Sequence, residues 1–537
     1  MEEFDFVIVG AGAAGSIVAY RLGEAGYSVC VVEAGPRDSN PYIRIPAGFM
    51  KTLFDPRMTW QMQHTPMPGT NGREIAVVQG RTLGGSSSVN GLIYNRGQAD
   101  DFNTWAQLGN RGWAYQDTLP YFRRTERWTG AADPDYRGGE GQLPIAVPKW
   151  PSEISDAFIK AAIESGIPFN PDSNAASQAG VGHYQSAIFK GRRVSTADAF
   201  LRPAMRKFGV AVRTDCQVSR IAFEHGRATG IAYTKPGEAG EMEIRARAGV
   251  VVSAGAINSP KLLQLSGIGP AALLSEHGIA LRLDRPGVGL NLRDHYSPRL
   301  VARARRAKGS MNGRERGVNL ISEGLRWLAG RPNILAVSPA LIHVFWKSRP
   351  VLANPDFALV FTPASYRRGY IGQLDKFPGV TCGAWAMRPE SSGHVRIRSR
   401  DHRENPETTP MYLDREEDRK VTIAALKAAR ALLSSSSMAP YIESETFPGK
   451  AVESDDEWLD FARSEGNSSN HLVGSVKMGR EDDHLAVLDE TLTVRGVDGL
   501  SVIDSSIMPT MPSANTWAAT MMIAEKGAEM LIQRARK

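Results

Sequence analysis

Residues 4–33 read FDFVIVGAGAAGSIVAYRLGEAGYSVCVVE, and they leave the chain few folds to choose from. Phe4–Val9 is β-rich and largely apolar, the composition of a strand buried on both faces. Gly10, Gly12 and Gly15 then form G-x-G-x-x-G at the start of a helix. Gly10 permits the turn, Gly12 lets a pyrophosphate approach the backbone, and Gly15 lets the helix lie close to the strand. The phosphates would meet free N–H groups at the helix N-terminus. A second strand ends at Glu33, 23 residues beyond Gly10, near the spacing of a ribose-binding acid. The glycines alone are a weak signal. With strand, helix, second strand and acid all in place they predict a dinucleotide site, and the pattern occurs once in this context.

Composition narrows the rest. A chain of 537 residues holds two to four domains, or two large interleaved ones. Lys and Arg number 64 against 57 Asp and Glu, a net charge of +7. That excess is spread along the chain. Its densest stretch, Val301–Gly309, lacks interleaved aromatics and reads as a solvated surface, so no nucleic-acid partner is expected. Cys30, Cys216 and Cys382 match no metal spacing, so no metal is expected. Cys30 sits in an apolar run and reads as buried and inert. Few cysteines, no signal peptide ahead of the first strand and no run of about 18 apolar residues lead to the expectation of a cytoplasmic enzyme without a membrane span.

Five more stretches carry chemistry. Gly80–Gly97, GRTLGGSSSVNGLIYNRG, combines a glycine pair that can pack against a flat ring with hydroxyls suited to phosphate. Gly255–Gly269 follows a strand-like GVVVSAG, and its Ser259–Pro260 reads as an N-cap with Pro at the first helical position. Pro286–His295 reads PGVGLNLRDH. Near the C-terminus come His471–Gly479, HLVGSVKMG, and the tail from Asp504, DSSIMPTMPSANTWAATMMIAEKGAEM.

In this order the motifs resemble the glucose–methanol–choline (GMC) family of flavoprotein oxidoreductases over essentially the whole chain. They are nearest to its choline-dehydrogenase-like bacterial alcohol dehydrogenases and oxidases. The resemblance implies an α/β fold, a Rossmann-like FAD-binding domain interleaved with an α+β substrate domain built on an antiparallel sheet. The first would take residues 1–155, 190–300 and 465–537, the second 156–189 and 301–464. FAD is the implied cofactor. Gly10, Gly12, Ala13, Ala14, Gly15, Glu33 and Ala34 would hold its adenosine diphosphate half, with Val218 on the adenine side. Arg81, Gly84, Gly85, Ser87, Asn90 and Gly91 match the segment that wraps the flavin and ribityl chain. Ala254, Gly255, Asp504, Ser505, Asn515 and Thr516 complete the cofactor set, with Trp60 packed nearby. Some relatives attach flavin through a histidine just before the Asn90 position. Val89 stands there, so noncovalent FAD is expected.

The family's HPxGTxxMG pattern carries its catalytic base. Here Pro is replaced by Leu472 and Thr by Ser475, which keeps the chemistry and is expected to loosen the loop slightly. The resemblance makes His471 the general base and Asn515 its partner. Alcohol oxidation needs a proton acceptor near the working pH and a neutral donor for the oxygen, which an imidazole and an amide supply. His295 follows Asp294 in a matched motif and reads as scaffold. His64, His183, His343 and His484 read as structural.

The substrate domain is less legible. Asp414–Ser436 reads as an amphipathic helix with a charged opening turn, and Gly393–Asp401 alternates as a half-exposed strand. Residues 36–78 show no period and resemble the family's cofactor-covering loop. Phe361, Tyr366 and Trp385 are candidates for the substrate wall. The expected substrate is a primary alcohol, aromatic or moderately apolar, with oxygen or a quinone- or dye-like compound as electron acceptor, in a monomer or homodimer. A hydroxynitrile lyase without net redox chemistry is the alternative. Light-driven decarboxylation is disfavoured by the retained His471.

Overall fold

The computed structural model describes residues 2–131, 133–306, 308–368 and 372–536. Its centre is a mixed seven-stranded sheet. The opening strand Glu2–Val9 lies between Val29–Val32 and Met242–Val252, both parallel to it, with Ala211–Arg213 parallel beyond Val29–Val32. Met242–Val252 is long enough to serve two partners on its far side. Its first half takes the antiparallel hairpin of Arg227–Thr234 and Gln217–Glu224, and Val250–Val252 takes Leu500–Val502 in parallel. That last pairing returns the C-terminal part of the chain to the glycine turn.

Phe6–Val9 and Val29–Val32 are buried at every position, as their unbroken apolar sequence requires. The helix Ala13–Glu24 covers them and is itself buried from Ala14 to Gly23 under the C-terminal helix Thr516–Ala535. Arg21 and Glu525 join the two helices through an interior ion pair at 2.7 Å. Gly15 is required here, because a Cβ would stand 1.9 Å from the Gly10 carbonyl oxygen.

A second sheet is antiparallel throughout. Its six strands run in the order Ile442–Phe447, Arg299–Ala304, Gly379–Ala386, Phe357–Thr362, Ile342–Trp346, Gly180–His183. The helices Glu153–Glu164 and Glu416–Leu433 cover one face. Pleating divides each strand between that core and the other face. Val380, Cys382 and Ala384 join the core, while Thr381, Gly383 and Trp385 line a cavity.

Several expectations need correction. Phe361 belongs to the helix side, stacked on Phe158 with ring centroids 4.1 Å apart. Its neighbours Val360 and Thr362 take the cavity side, and Tyr366 and Trp385 do line the cavity. The helix at Gly255–Leu265 starts four residues ahead of Ser259, with Ala254 at its N-cap and Pro260 inside it. The strand opening at Gly393 ends at Arg396. The aperiodic stretch 36–78 does hold regular structure, since Thr59–His64 pairs with Ile75–Gly80 as a hairpin, while Phe49, Leu53, Trp60 and Val78 line the cavity.

Candidate active site

One cavity of about 620 Å³ is lined by the glycine turn at one end and by the second sheet at the other. Gly10 has φ +100°, which favours glycine. Gly12 caps the opening helix without a side-chain bond, so the first-turn N–H groups stay free for phosphate oxygens. The second glycine turn closes on the first. The Gly84 N–H donates to the Ala11 carbonyl at 2.8 Å. A Cβ on Gly85 would stand 2.7 Å from Gly12 Cα. Glu33 accepts from the backbone N–H groups of Ala11 and Gly35, both at 2.9 Å. Burial raises its pKa, and those two bonds oppose the shift. A buried carboxylate beside free helix amides and a glycine cradle fits an FAD.

Gly10, Gly12, Ala13, Ala14, Glu33, Ala34, Trp60, Gly85, Ser87, Asn90, Gly91 and Val218 line this cavity. So do Ala254, Gly255, Asp504, Ser505, Asn515 and Thr516. Gly15, Arg81 and Gly84 do not. Arg81 lies over the Trp60 ring, 4.7 Å from its centroid, and so steadies a lining residue. Asp504 accepts from the Gly255 N–H at 2.8 Å and from Ser259 Oγ at 2.5 Å, which pins the start of the Gly255 helix. Val89 is buried in the wall.

The other end of the cavity holds His471. A short antiparallel pairing, Tyr296–Ser297 with Asn467–Ser468, brings two distant loops together. Asp294 then accepts from the His471 backbone N–H at 2.7 Å and from Ser468 Oγ and Tyr412 Oη at 2.5 Å. Burial raises the Asp294 pKa to about 6 against those hydrogen bonds. Asn515 caps the C-terminal helix. The loop before it is tied down by Asp101, which accepts from the Ser513 N–H at 2.8 Å and Oγ at 2.7 Å. The Asn515 Nδ2 lies 3.0 Å from His471 Nε2.

His295, expected to be scaffold, touches the candidate base. Its Nδ1 is 3.0 Å from His471 Nδ1, and its Nε2 is 2.7 Å from the Met387 carbonyl oxygen. These contacts fix the tautomers. A carbonyl only accepts, so the proton of His295 is on Nε2. Its Nδ1 is then an acceptor, and His471 must donate from Nδ1. That leaves a lone pair on His471 Nε2, facing Asn515 Nδ2. Burial lowers the His295 pKa to about 4, opposed by the Met387 bond. Burial, aided by His295, holds His471 well below its usual value. Both imidazoles are neutral at pH 7, and the basic Nε2 of His471 accepts from Asn515 Nδ2 at the end of the cavity.

The two departures in the HLVGSVKMG motif have physical roles. Leu472 is buried with Met62, Val77, Ile257 and Leu292, so apolar packing anchors the loop where a proline would have stiffened it. Pro260 has no N–H to offer the Ala256 carbonyl within its helix. Ser475 Oγ supplies the missing bond at 2.5 Å. Ser475→Ala therefore strands a buried carbonyl and should cost about 1–3 kcal/mol. The check is a lower Tm in the alanine variant that Ser475→Thr largely restores.

A mixed α/β fold with a dinucleotide-sized cavity, a neutral base and an amide at its far end defines a nucleotide-cofactor oxidoreductase. The chain belongs to the GMC oxidoreductase family, whose models match residues 4–297 and 389–524. Enzymes of this family depend on FAD and act on CH–OH donors, and this chain is one of them. It is 35% identical over 536 residues to the alcohol dehydrogenase [acceptor] of Pseudomonas putida, covering 99% of this chain and 96% of that one. It is 38% identical over 539 residues to the oxygen-dependent choline dehydrogenase of Brucella ovis, with the same coverage. Among solved structures, pyridoxine 4-oxidase from Mesorbium loti superposes with a TM-score of 0.87 at 28% identity, covering 99% of both chains. Among the described residues, no helix is long and apolar enough to cross a membrane.

Proposed function

We propose that this enzyme oxidises a primary alcohol, aromatic or moderately apolar, to the aldehyde. The mixed sheet serves as a Rossmann-like FAD domain, residues 1–155, 190–300 and 465–537, interleaved with a substrate domain of residues 156–189 and 301–464. FAD binds noncovalently, because the wall position that holds a flavin-linking histidine in some relatives is Val89. The observation that carries the reading is the 3.0 Å contact of His471 Nε2 with Asn515 Nδ2 at the end of the cavity.

When bound, FAD supplies the hydride acceptor. The chain's own task is the proton and the geometry. An alcohol oxygen would displace the direct contact between Asn515 Nδ2 and His471 Nε2, donating its proton to the imidazole nitrogen and accepting from the amide. Proton transfer then leaves imidazolium on His471 while the amide holds the developing alkoxide. Trp385 and Val360 give the carbon skeleton an apolar wall. Oxygen or a quinone- or dye-like compound serves as final acceptor.

Anaerobic addition of a benzylic alcohol should bleach the flavin absorbance. A lyase would leave it oxidised, and an unchanged spectrum across a panel of alcohols rejects the proposal. Acid precipitation should release all of the flavin into the supernatant; yellow colour held in the pellet would disprove noncovalent binding.

A further inference from the structure

We infer that the alcohol substrate also carries a carboxylate, bound by Arg299 on the sheet wall of the cavity. This rests on the alcohol-oxidase reading and names the substrate class of the same site. Four lysine, arginine, aspartate or glutamate side chains line the cavity: Glu33, Lys261, Arg299 and Asp504. Three of them are committed to the chain. Glu33 and Asp504 hold backbone N–H groups, and Lys261 Nζ donates to the His402 carbonyl at 2.6 Å. The guanidinium of Arg299 has neither a hydrogen-bond nor a carboxylate partner among the described residues.

Its position is built by the sheet. Arg299 opens the strand Arg299–Ala304 directly across from Gly383. A Cβ on Gly383 would stand 3.7 Å from Arg299 Cγ, so the two positions are neighbours on this face of the sheet. Two residues along the same strand and on the same face stands Trp385, whose ring is 6.2 Å from that of His471, centroid to centroid. Base, indole and guanidinium thus share one wall. Burial pushes the Arg299 pKa down, and Tyr366 only partly offsets this. Arg299 is half-buried in the cavity wall, and a ligand that brings an anion would supply the counter-ion it lacks.

The phosphates of FAD belong at the glycine turn on the other sheet, so they leave Arg299 free. One guanidinium matches one carboxylate in charge and in fork geometry, whereas a phosphate dianion would keep an unpaired charge. The same cation argues against choline. A quaternary ammonium in this wall would meet Arg299 and find no carboxylate there, since Glu33 and Asp504 are held at the strand ends of the first sheet. The substrate class is a hydroxy acid with an apolar body between its two polar ends.

The test compares 4-(hydroxymethyl)benzoate with its methyl ester on the holoenzyme. The carboxylate should be preferred in kcat/KM by about 10–100-fold, the size of a charge-assisted hydrogen bond. Arg299→Met should collapse that preference and Arg299→Lys should retain part of it. A second measurement needs neither turnover nor a variant. Titration of oxidised enzyme with 4-methylbenzoate should perturb the flavin spectrum at a concentration at least tenfold below that for 4-methylbenzamide. Equal affinity for acid and amide, or an acid-to-ester ratio near one in the wild type, overturns the inference. Tight binding of the acid with no bleaching by any alcohol would instead reject the alcohol-oxidase reading and leave the anion site standing.

Discussion

Replacing His471 with alanine slows flavin reduction by alcohol roughly 10²–10⁴-fold, the usual worth of general-base catalysis, while FAD remains bound. Among the described residues at this end of the cavity, the imidazole is the group whose hydrogen bonds leave it a basic nitrogen for an incoming hydroxyl. Cofactor binding survives, because the loop is held by the His471 backbone N–H on Asp294 and by buried Leu472, neither of which depends on the imidazole. The substrate KM should move far less than the rate, since Asn515 still binds the oxygen. The pH profile follows from burial. A lowered pKa favours the neutral imidazole, which is the active form, so kcat/KM should stay flat from pH 8 through pH 7. The acid limb should fall below 6.5, the ordinary histidine value. Stopped-flow reduction under nitrogen measures all of this. A variant that reduces its flavin within tenfold of the wild-type rate would remove His471 from the chemistry.

The parts of this site that are legible in the sequence are those written within one short stretch. The glycine turn carries strand, turn, helix and acid in 30 residues, and each glycine answers a local need for backbone space. His471 and Asn515 are legible through resemblance, because each sits in an ordered motif. What sequence hides is whatever depends on pairing distant strands. His295 meets His471 across 176 residues, through a two-residue antiparallel contact that no periodicity announces. Its one signal was its place next to Asp294 in a matched motif. Ser475 and Pro260 form another such pair. The proline looked like a helix start because Ser-Pro fits that local rule, yet a serine 215 residues away repairs the helix it interrupts. Phe361 and Val360 show the limit for the substrate wall. Both are apolar on one strand, and only the pleat decides which faces the cavity. Arg299 lies two residues ahead of the basic stretch Val301–Gly309 that reads as solvated, in no motif of its own, and the sheet places it on the cavity wall.

Replacing His295 with phenylalanine lowers the rate of flavin reduction by about 10–100-fold, the scale of a misaligned reacting group, although His295 reaches neither substrate nor cofactor. It is a positioning residue. The Met387 carbonyl fixes its proton on Nε2, its Nδ1 fixes the proton of His471 on Nδ1, and the lone pair of the base is thereby turned to the cavity. Phenylalanine fills the space but accepts no hydrogen bond, so His471 is free to place its proton on Nε2, where it is useless as a base, or to rotate. His295→Gln offers an amide oxygen to the His471 Nδ1–H and should recover most of the rate. The pH profile separates this role from plain packing. His295 contributes to the depression of the His471 pKa, so its loss should move the acid limb of kcat/KM upward, whereas a cavity or packing defect leaves that limb in place. Phenylalanine and glutamine variants with equal rates and an unmoved acid limb would reduce His295 to the scaffold that its sequence context suggests. The opposite result would give the catalytic unit its full extent, a carbonyl, two imidazoles and an amide in series, each setting the proton position of the next.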